Sequence, residues 1–433
     1  MFAADARHFG DGPGLPAANW AGNIRFGAAR TARPASVAEL CEVVAAADRV
    51  RVLGTGHSFN PIADTDGTQV SVAGLPRTVE IDRDAGTVTV AGGLRFGEFT
   101  DELHRAGLAL RNLGSLPHIS VAGACATGTH GSGVGNGTIA STVRALELVT
   151  AGGELRTFRR GEADFPGTVV ALGALGVVTR LTLDVVPAFD VQQWVYEDLP
   201  HDLLRAHFEE VMSAAYSVSL FTSWTGDRVE QVWLKQRVPA SGPVAGIEPW
   251  PRAVRADGPR HMIPGVSPEH CTDQTGLAGP WFSRLPHFRM EFTPSNGEEL
   301  QSEYFVARAD AVAAFEALDA VRERIAPRLL VGEIRTVAAD DLWLSPAHGR
   351  DTVAFHFTWL PGEAEVRPAL EAVEAALAPF DVRPHWGKVF AAGPEAVRAA
   401  YPRLREFAAL AERLDPAGTF RNAWLDALWP TAP

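Results

Sequence analysis

Gly54-Thr55-Gly56-His57-Ser58-Phe59 follows directly on the strand-like run Val50-Arg51-Val52-Leu53. A second stretch of the same character begins at Ser115-Leu116-Pro117-His118-Ile119-Ser120, passes Gly123, and ends in Thr127-Gly128-Thr129-His130-Gly131-Ser132-Gly133. Glycines let backbone N–H groups approach an anion closely, and loops of this kind cradle phosphate. Two of them, with hydroxyls interspersed, predict a pyrophosphate held from both sides and so a dinucleotide-like cofactor. Gly133-Val134-Gly135-Asn136-Gly137 does not make that cofactor a nicotinamide: no strand immediately precedes it, and the G-x-G-x-x-G spacing and downstream acidic residue are missing.

Outward from these loops the first 185 residues read as mixed α+β. Residues 36–50 have a helical apolar face of Val37, Leu40, Val43 and Val44. Val79–Asp82 and Thr87–Val90 alternate around a turn at Asp84-Ala85-Gly86, which predicts a hairpin. Ala145–Thr150 and Glu154–Phe158 predict another, Phe96–Arg105 a short helix, and Leu175–Val186 one or two buried strands. Beyond this point the pattern changes. A helix over Leu203–Ala215 precedes strands at Ser217–Trp224 and Val229–Arg237, then a Pro- and Gly-rich excursion over 238–282. Ser302–Val306, the helix Ala309–Ile325 and the strand Leu330–Thr336 form one unit, and Thr352–Trp359 with the helix Glu363–Leu377 repeats its opening. A helix near Pro394–Leu414 and a Trp-rich end close the chain.

Composition narrows the function class. At 433 residues the chain supports two or three domains with a sizeable core. Its net charge of −13, with no long Lys/Arg cluster, argues against nucleic acid. Cys41, Cys125 and Cys271 are odd in number and far apart, which predicts neither a disulfide framework nor a metal site. The apolar stretch Val169–Thr179 is too short to span a bilayer, and the N-terminus lacks a signal-peptide layout. A cytoplasmic, monomeric protein without membrane contact is the expectation.

Strand geometry singles out a second set of residues. In Val331-Gly332-Glu333-Ile334-Arg335-Thr336, Glu333 and Arg335 share one face while Ile334 points away. In Phe355-His356-Phe357-Thr358-Trp359, His356 and Thr358 do the same. Two such strands side by side present four polar groups on one face, which suits a multiply hydroxylated ligand; a solvated sheet face with an ordinary ion pair has the same pattern. Pro384-His385-Trp386-Gly387-Lys388 packs a base, an aromatic ring and an ammonium into one turn. Lys388 is either a charge beside an electron-accepting ring or a surface lysine. His57, inside the first glycine loop, is either a nucleophile toward the cofactor or a structural hydrogen-bonding residue.

Together these residues resemble the alditol/xylitol oxidases of the vanillyl-alcohol-oxidase-type flavoprotein family. The anchors are Asn19-Trp20-Ala21-Gly22-Asn23, Gly54–Phe59, Ser115–Gly137, Gly173–Thr179, Glu333–Thr336, His356–Trp359 and Arg383–Val389. The resemblance implies an α+β fold: an FAD-binding domain of two small subdomains over residues 1–187, a substrate (cap) domain with an antiparallel sheet and helices over 188–382, and a C-terminal segment, 383–433, completing the flavin site. It implies FAD joined covalently to His57. Gly54, Thr55, Gly56, Ser58, Gly114, Ser115, Ser120, Gly123, Thr127 and Gly128 would hold the cofactor, with Gly176, Val177, Val178 and His385. Ser115, Glu333, Arg335, His356, Thr358 and Lys388 would line the polyol site, with Lys388, Arg335 and Glu333 catalytic. The implied reaction oxidises the primary hydroxyl of alditols such as xylitol and sorbitol to the aldose, passing a hydride to flavin N5 and reducing O2 to H2O2. The lead before Asn19 departs from the family's compact start. The rival readings are an aldonolactone oxidase or dehydrogenase of the same fold, and a non-catalytic sugar-binding protein.

Overall fold

A computed structural model of the chain describes residues 14–244, 246, 253–291 and 299–429. Most of the lead before Asn19, part of the 238–282 excursion and the last four residues lie outside that set.

The N-terminal part is built on two sheets. Arg30–Ala32, Thr68–Val70 and Val50–Val52 form a small parallel sheet in that order. The two predicted hairpins sit in a five-stranded antiparallel sheet ordered Val79–Asp82, Thr87–Ala91, Val177–Asp184, Val143–Val149, Leu155–Arg159. The strand Val177–Asp184 alternates buried and half-buried residues along its length, as a strand with one face on the core does. Gly54 stands at the end of the parallel sheet because Val50–Val52 stops there and the chain turns under the second loop.

The second part is one antiparallel sheet of nine strands. Its path runs Val254–Arg255, Asp190–Pro200, Arg228–Arg237, Ser217–Thr222, Leu329–Val337, Thr352–Trp359, Leu300–Ala307 and Arg383–Pro384, with Gly279–Pro280 beside Asp190–Pro200. One face of its centre carries Ile334, Phe355, Phe357 and Tyr304. These pack with Phe315, Leu318, Val366, Leu370 and Val373 of the helices Ala311–Ala320 and Glu363–Leu377. The helices therefore cover the apolar face and leave the opposite face toward the N-terminal part.

Several elements differ from expectation. The strand Asp190–Pro200 carries no period-2 signal, because residues 191–196 are buried on both faces and Gln192 and Gln193 interrupt the apolar run. The helix expected over 36–50 ends at Ala45, and that over 203–215 divides at His207, whose φ of −131° is not helical. Phe96–Arg105 is a 3-10 turn, Phe96–Glu98, followed by the helix Thr100–Arg105. The helix expected near 394–414 is two, Pro394–Ala400 and Leu404–Leu414, divided at Pro402, which has no N–H to donate and restricts Tyr401 before it.

The C-terminal stretch belongs to both parts. Arg383–Pro384 pairs with Tyr304 and Phe305 of the large sheet. Val397, Tyr401, Leu404, Phe407 and Leu410 then pack in the core that holds Phe165, Val169 and Val170 of the N-terminal part. Among the described residues no helix is long and apolar enough to cross a membrane.

Candidate active site

The first glycine loop is fixed from three directions. Trp20 N–H donates to the Gly56 carbonyl at 2.8 Å. The side-chain amides of Asn19 and Asn23 donate to the carbonyls of Ser58 and Phe59 at 2.8 and 2.9 Å. Phe59 N–H donates to the Gly387 carbonyl at 2.8 Å, and the Asn60 amide to the carbonyls of Trp386 and Lys388 at 2.8 and 2.9 Å. The anchor Asn19–Asn23 and the turn Pro384–Lys388 thus hold one loop between them. The second loop closes against it: Ser120 N–H donates to Thr55 Oγ1 at 3.3 Å. A Cβ at Gly54 would stand 2.6 Å from Ser120 Oγ, so a larger residue there requires the Ser120 hydroxyl to move.

These loops and the polar face of the large sheet line one cavity of about 820 Å³. Gly54, Thr55, Gly56, His57, Ser58, Ser120, Gly123, Thr127, Gly176, Val178 and His385 border it at the loop side. Ser115, Glu333, Arg335, His356, Thr358 and Lys388 border it at the sheet side. Three residues expected at the cofactor lie outside the lining. Val177 alternates away into the core of Leu40, Val44 and Val149. Gly128, with φ +73°, caps the helix Val121–Thr127 in the left-handed region and has Pro346 beside it. Gly114 faces the side chain of Thr129 and the His130 carbonyl.

Strand register explains the sheet side. Glu303, His356 and Glu333 stand opposite one another on three neighbouring strands. Arg335 stands opposite Ala354, whose small side chain leaves room for the guanidinium to cross. Its Nη2 donates to Glu303 Oε1 at 2.5 Å and its Nη1 to Ser115 Oγ at 3.3 Å, while Nε lies 3.5 Å from Glu333 Oε2. His130 Nε2 is 3.1 Å from the same Glu303 oxygen, and His287 Nε2 is 2.8 Å from Glu333 Oε1. Lys388 Nζ donates to Gln301 Oε1 and lies 5.0 Å from the centre of the Phe59 ring.

The charges in this cluster support one another. Burial pushes the Glu303 carboxyl up, but Arg335, His130 and His356 outweigh it and hold it well below the ordinary range. Glu333 is likewise held low, by Arg335, His287 and His356 against burial. For Arg335 burial is outweighed by the two carboxylates, which raise it. Burial pulls Lys388 down to about 8 and His385 to about 3. His57 falls to about 3, by burial first and then by His118 and Lys388 nearby, so its ring is neutral.

Sequence reasoning missed Glu303, Gln301, His130, His287 and Lys235 as members of this cluster. Gln301 and Glu303 show the same i, i+2 signal as Glu333 and Arg335, on a strand that was read only from Ser302. His130 sat inside the quoted loop without a role. His287 lies in irregular chain with no period to read.

An FAD binding domain family matches residues 28–159, and a D-arabinono-1,4-lactone oxidase family matches 295–428. The alditol oxidase of Streptomyces sp. (strain IKD472) is 52% identical over 94% of this chain and 97% of its own. This chain belongs to the alditol oxidase family of vanillyl-alcohol-oxidase-type flavoproteins. An L-gulono-1,4-lactone dehydrogenase of Mycobacterium tuberculosis is a more distant relative, 32% identical over 93% of this chain and 96% of its own. A cholesterol oxidase structure from B. sterolicum superposes with a TM-score of 0.78 at 17% identity, covering 99% of this chain and 100% of that one. That likeness is one of fold: the FAD-binding fold of the family, with mixed helices and antiparallel sheets.

The residues present fit FAD. His57 Nδ1 is buried without a protein partner, and Trp20 stacks on the ring at 5.3 Å. Gly54 and Gly123 border the cavity where a Cβ would strike Ser120 Oγ. At the sheet side Arg335 Nε and His356 Nδ1 are buried and make only long contacts, 3.5 Å to Glu333 Oε2 and to Glu303 Oε2, which leaves them able to bond a hydroxylated ligand.

Proposed function

We infer that this protein is an FAD-dependent alditol oxidase that acts on the primary hydroxyl of polyols such as xylitol and sorbitol. One observation carries the reading. A single cavity joins a glycine-built cofactor cradle to a sheet face bearing two carboxylates, a guanidinium, an ammonium, an imidazole and a hydroxyl. Bound FAD supplies the redox chemistry, accepting the hydride from C1 and passing electrons to O2 to give H2O2.

The chain's own residues position the alcohol. Lys388 Nζ and Arg335 donate to the reacting hydroxyl and favour its developing negative charge. Both are preorganised: the Gln301 amide and the Phe59 ring hold the ammonium, and Glu303 and Ser115 hold the guanidinium. Glu333 accepts hydrogen bonds from neighbouring hydroxyls, and Thr358 and His356, 3.2 Å apart, grip farther along the chain. A site built to bond hydroxyls discriminates strongly against chains that lack them. Catalytic efficiency therefore rises from glycerol to xylitol and sorbitol, and 1-butanol is a very poor substrate.

His57 carries the covalent flavin link in this reading. Its neutral ring and unpartnered Nδ1 are the support. Acid-precipitated wild type stays yellow and His57→Ala does not; a yellow His57→Ala pellet overturns the link. Stoichiometric H2O2 during xylitol oxidation in air tests the oxidase half, and turnover of a gulono- or galactono-lactone with none of xylitol returns the lactone oxidase reading. The net charge of −13 favours a dispersed protein, and with it the monomeric reading; a dimer mass by light scattering overturns it.

A further inference from the structure

Near Glu333 lies a buried lysine that the reaction does not use. Lys235 stands on the strand Arg228–Arg237 and is 1% exposed. Its Nζ lies 2.5 Å from the Leu285 carbonyl, 2.9 Å from the Pro286 carbonyl and 3.2 Å from His287 Nδ1. The other nitrogen of that ring, Nε2, reaches Glu333 Oε1 at 2.8 Å. The rings of Phe221 and Trp233 meet His287 edge-on, at 5.6 and 5.2 Å between centroids, and fix its plane. The His287 backbone N–H donates to the Ser115 carbonyl at 3.0 Å, which ties the segment to another cavity residue.

The donors and acceptors along this chain set its direction. Glu333 is a carboxylate and only accepts, so His287 Nε2 carries the hydrogen. Burial pulls His287 down to about 4, so the ring is neutral and Nδ1 is bare. Nδ1 must then accept, and its neighbour Lys235 must donate. Burial pulls Lys235 down to about 7 against the favouring charge of Glu333; as the ammonium it gives two Nζ hydrogens to the two carbonyls and the third to His287 Nδ1. Cys271, the other titratable group against Lys235, is held as a thiol by burial, which pushes it up to about 12. The result is a one-way series, Lys235 to His287 to Glu333, that ends on Oε1. Oε2, 3.5 Å from Arg335 Nε, is the oxygen left to accept from a ligand in the cavity.

We propose that Lys235 and His287 are positioning residues that hold the Glu333 carboxylate by one oxygen and thereby reserve the other for a polyol's inner hydroxyls. The proposal rests on the alditol reading above. Without the His287 donor, Glu333 turns toward Arg335 and closes on its own cation. Without the Lys235 donor, His287 is free to take the tautomer that presents a lone pair to the carboxylate. In both cases the loss falls on recognition of inner hydroxyls rather than on C1 chemistry.

The test uses the flavin-loaded enzyme in anaerobic stopped-flow, which separates Kd from the limiting rate of flavin reduction. Xylitol is compared with 1,5-pentanediol, which keeps the terminal hydroxyls and lacks the inner three. His287→Leu is expected to lower the xylitol-to-pentanediol preference on the order of tenfold or more, chiefly through Kd. His287→Gln, whose amide N–H can reach Glu333, restores most of it. Lys235→Met lowers the preference in the same direction. Melting temperature and flavin content are read for each variant. If Lys235→Met does not fold, Lys235→Gln, which keeps an amide donor, takes its place and is expected to show a smaller loss. A His287→Leu enzyme that keeps its preference within twofold overturns the proposal, as does a His287→Gln enzyme no better than His287→Leu. An unchanged preference in the Lys235 variant removes Lys235 from it. A wild type with no preference for xylitol is a different result: it sinks the alditol reading itself.

Discussion

The two ends of the cavity are made of different material. At the loop end, glycines and backbone carbonyls do the shaping, and side chains such as Asn19, Asn23 and Asn60 serve only to hold backbone in place. At the sheet end the backbone is a hydrogen-bonded ladder, and shape and charge come from side chains that touch one another. A loop site fails sterically, when something is added. A sheet site fails electrostatically, when something is removed, because Arg335, Glu303 and Glu333 there are one another's counter-ions. That contrast orders the predictions.

The largest effect is expected at the sheet end. Lys388→Ala and Arg335→Ala each cut the rate of anaerobic flavin reduction on the order of a hundredfold or more, as loss of a preorganised charge partner does. Near-wild-type reduction by Lys388→Ala rules out its role. Arg335→Ala carries a second cost, since it leaves Glu303 and Glu333 buried without their shared cation. It should lower the melting temperature, where Lys388→Ala should not.

At the loop end, Gly54→Ala adds one methyl group 2.6 Å from Ser120 Oγ. The expected result is protein with little acid-stable flavin but an intact core. Ser120→Ala on top of it restores flavin, because the Ser120 Cβ is 3.7 Å away. Absorbance of the precipitated protein reads both, and failure of the double variant to recover breaks the steric account. A milder change is expected from Thr358→Ala, which removes one hydroxyl remote from C1: KM for xylitol rises about tenfold with kcat nearly kept, the scale of a single lost hydrogen bond. A fall in kcat without a change in KM would move Thr358 to the reacting end.

The smallest effect is a pH limb. Lys388 is an ammonium below about 8 and loses its charge as pH rises through that value. If the charge is what binds the hydroxyl, kcat/KM for xylitol falls above about 8, and Lys388→Arg moves the limb upward. A limb unmoved by that substitution assigns it to another group.

Legibility in the sequence divides along the same line. The loops were readable because glycine at close spacing has few other uses, and the Glu333/Arg335 and His356/Thr358 faces because alternation is local. Glu303, opposite His356, was not, although its strand was recognised: a strand's neighbours are set by topology, and nothing in residues 300–307 names residue 356 as a partner. His287 and Lys235 are joined only across 52 residues, through an irregular segment. The strand Asp190–Pro200 was hidden for another reason, burial on both faces, which erases the period that marks a strand.

The turn Pro384–Lys388 touches the first loop through Asn60, whose amide spans 326 and 328 residues to reach it. His385 and Val389 bind the backbone of Glu303 and Gln301 at the same time. Contacts this distant in sequence are the slowest to form. Closing the cradle therefore waits on long-range pairing with the turn. While the chain is being synthesised, the five-stranded sheet has all its strands by residue 184, but the cradle still lacks a wall supplied some two hundred residues later. A chain cut short of the turn keeps its glycine loops and lacks the backbone that Phe59 and Asn60 bind.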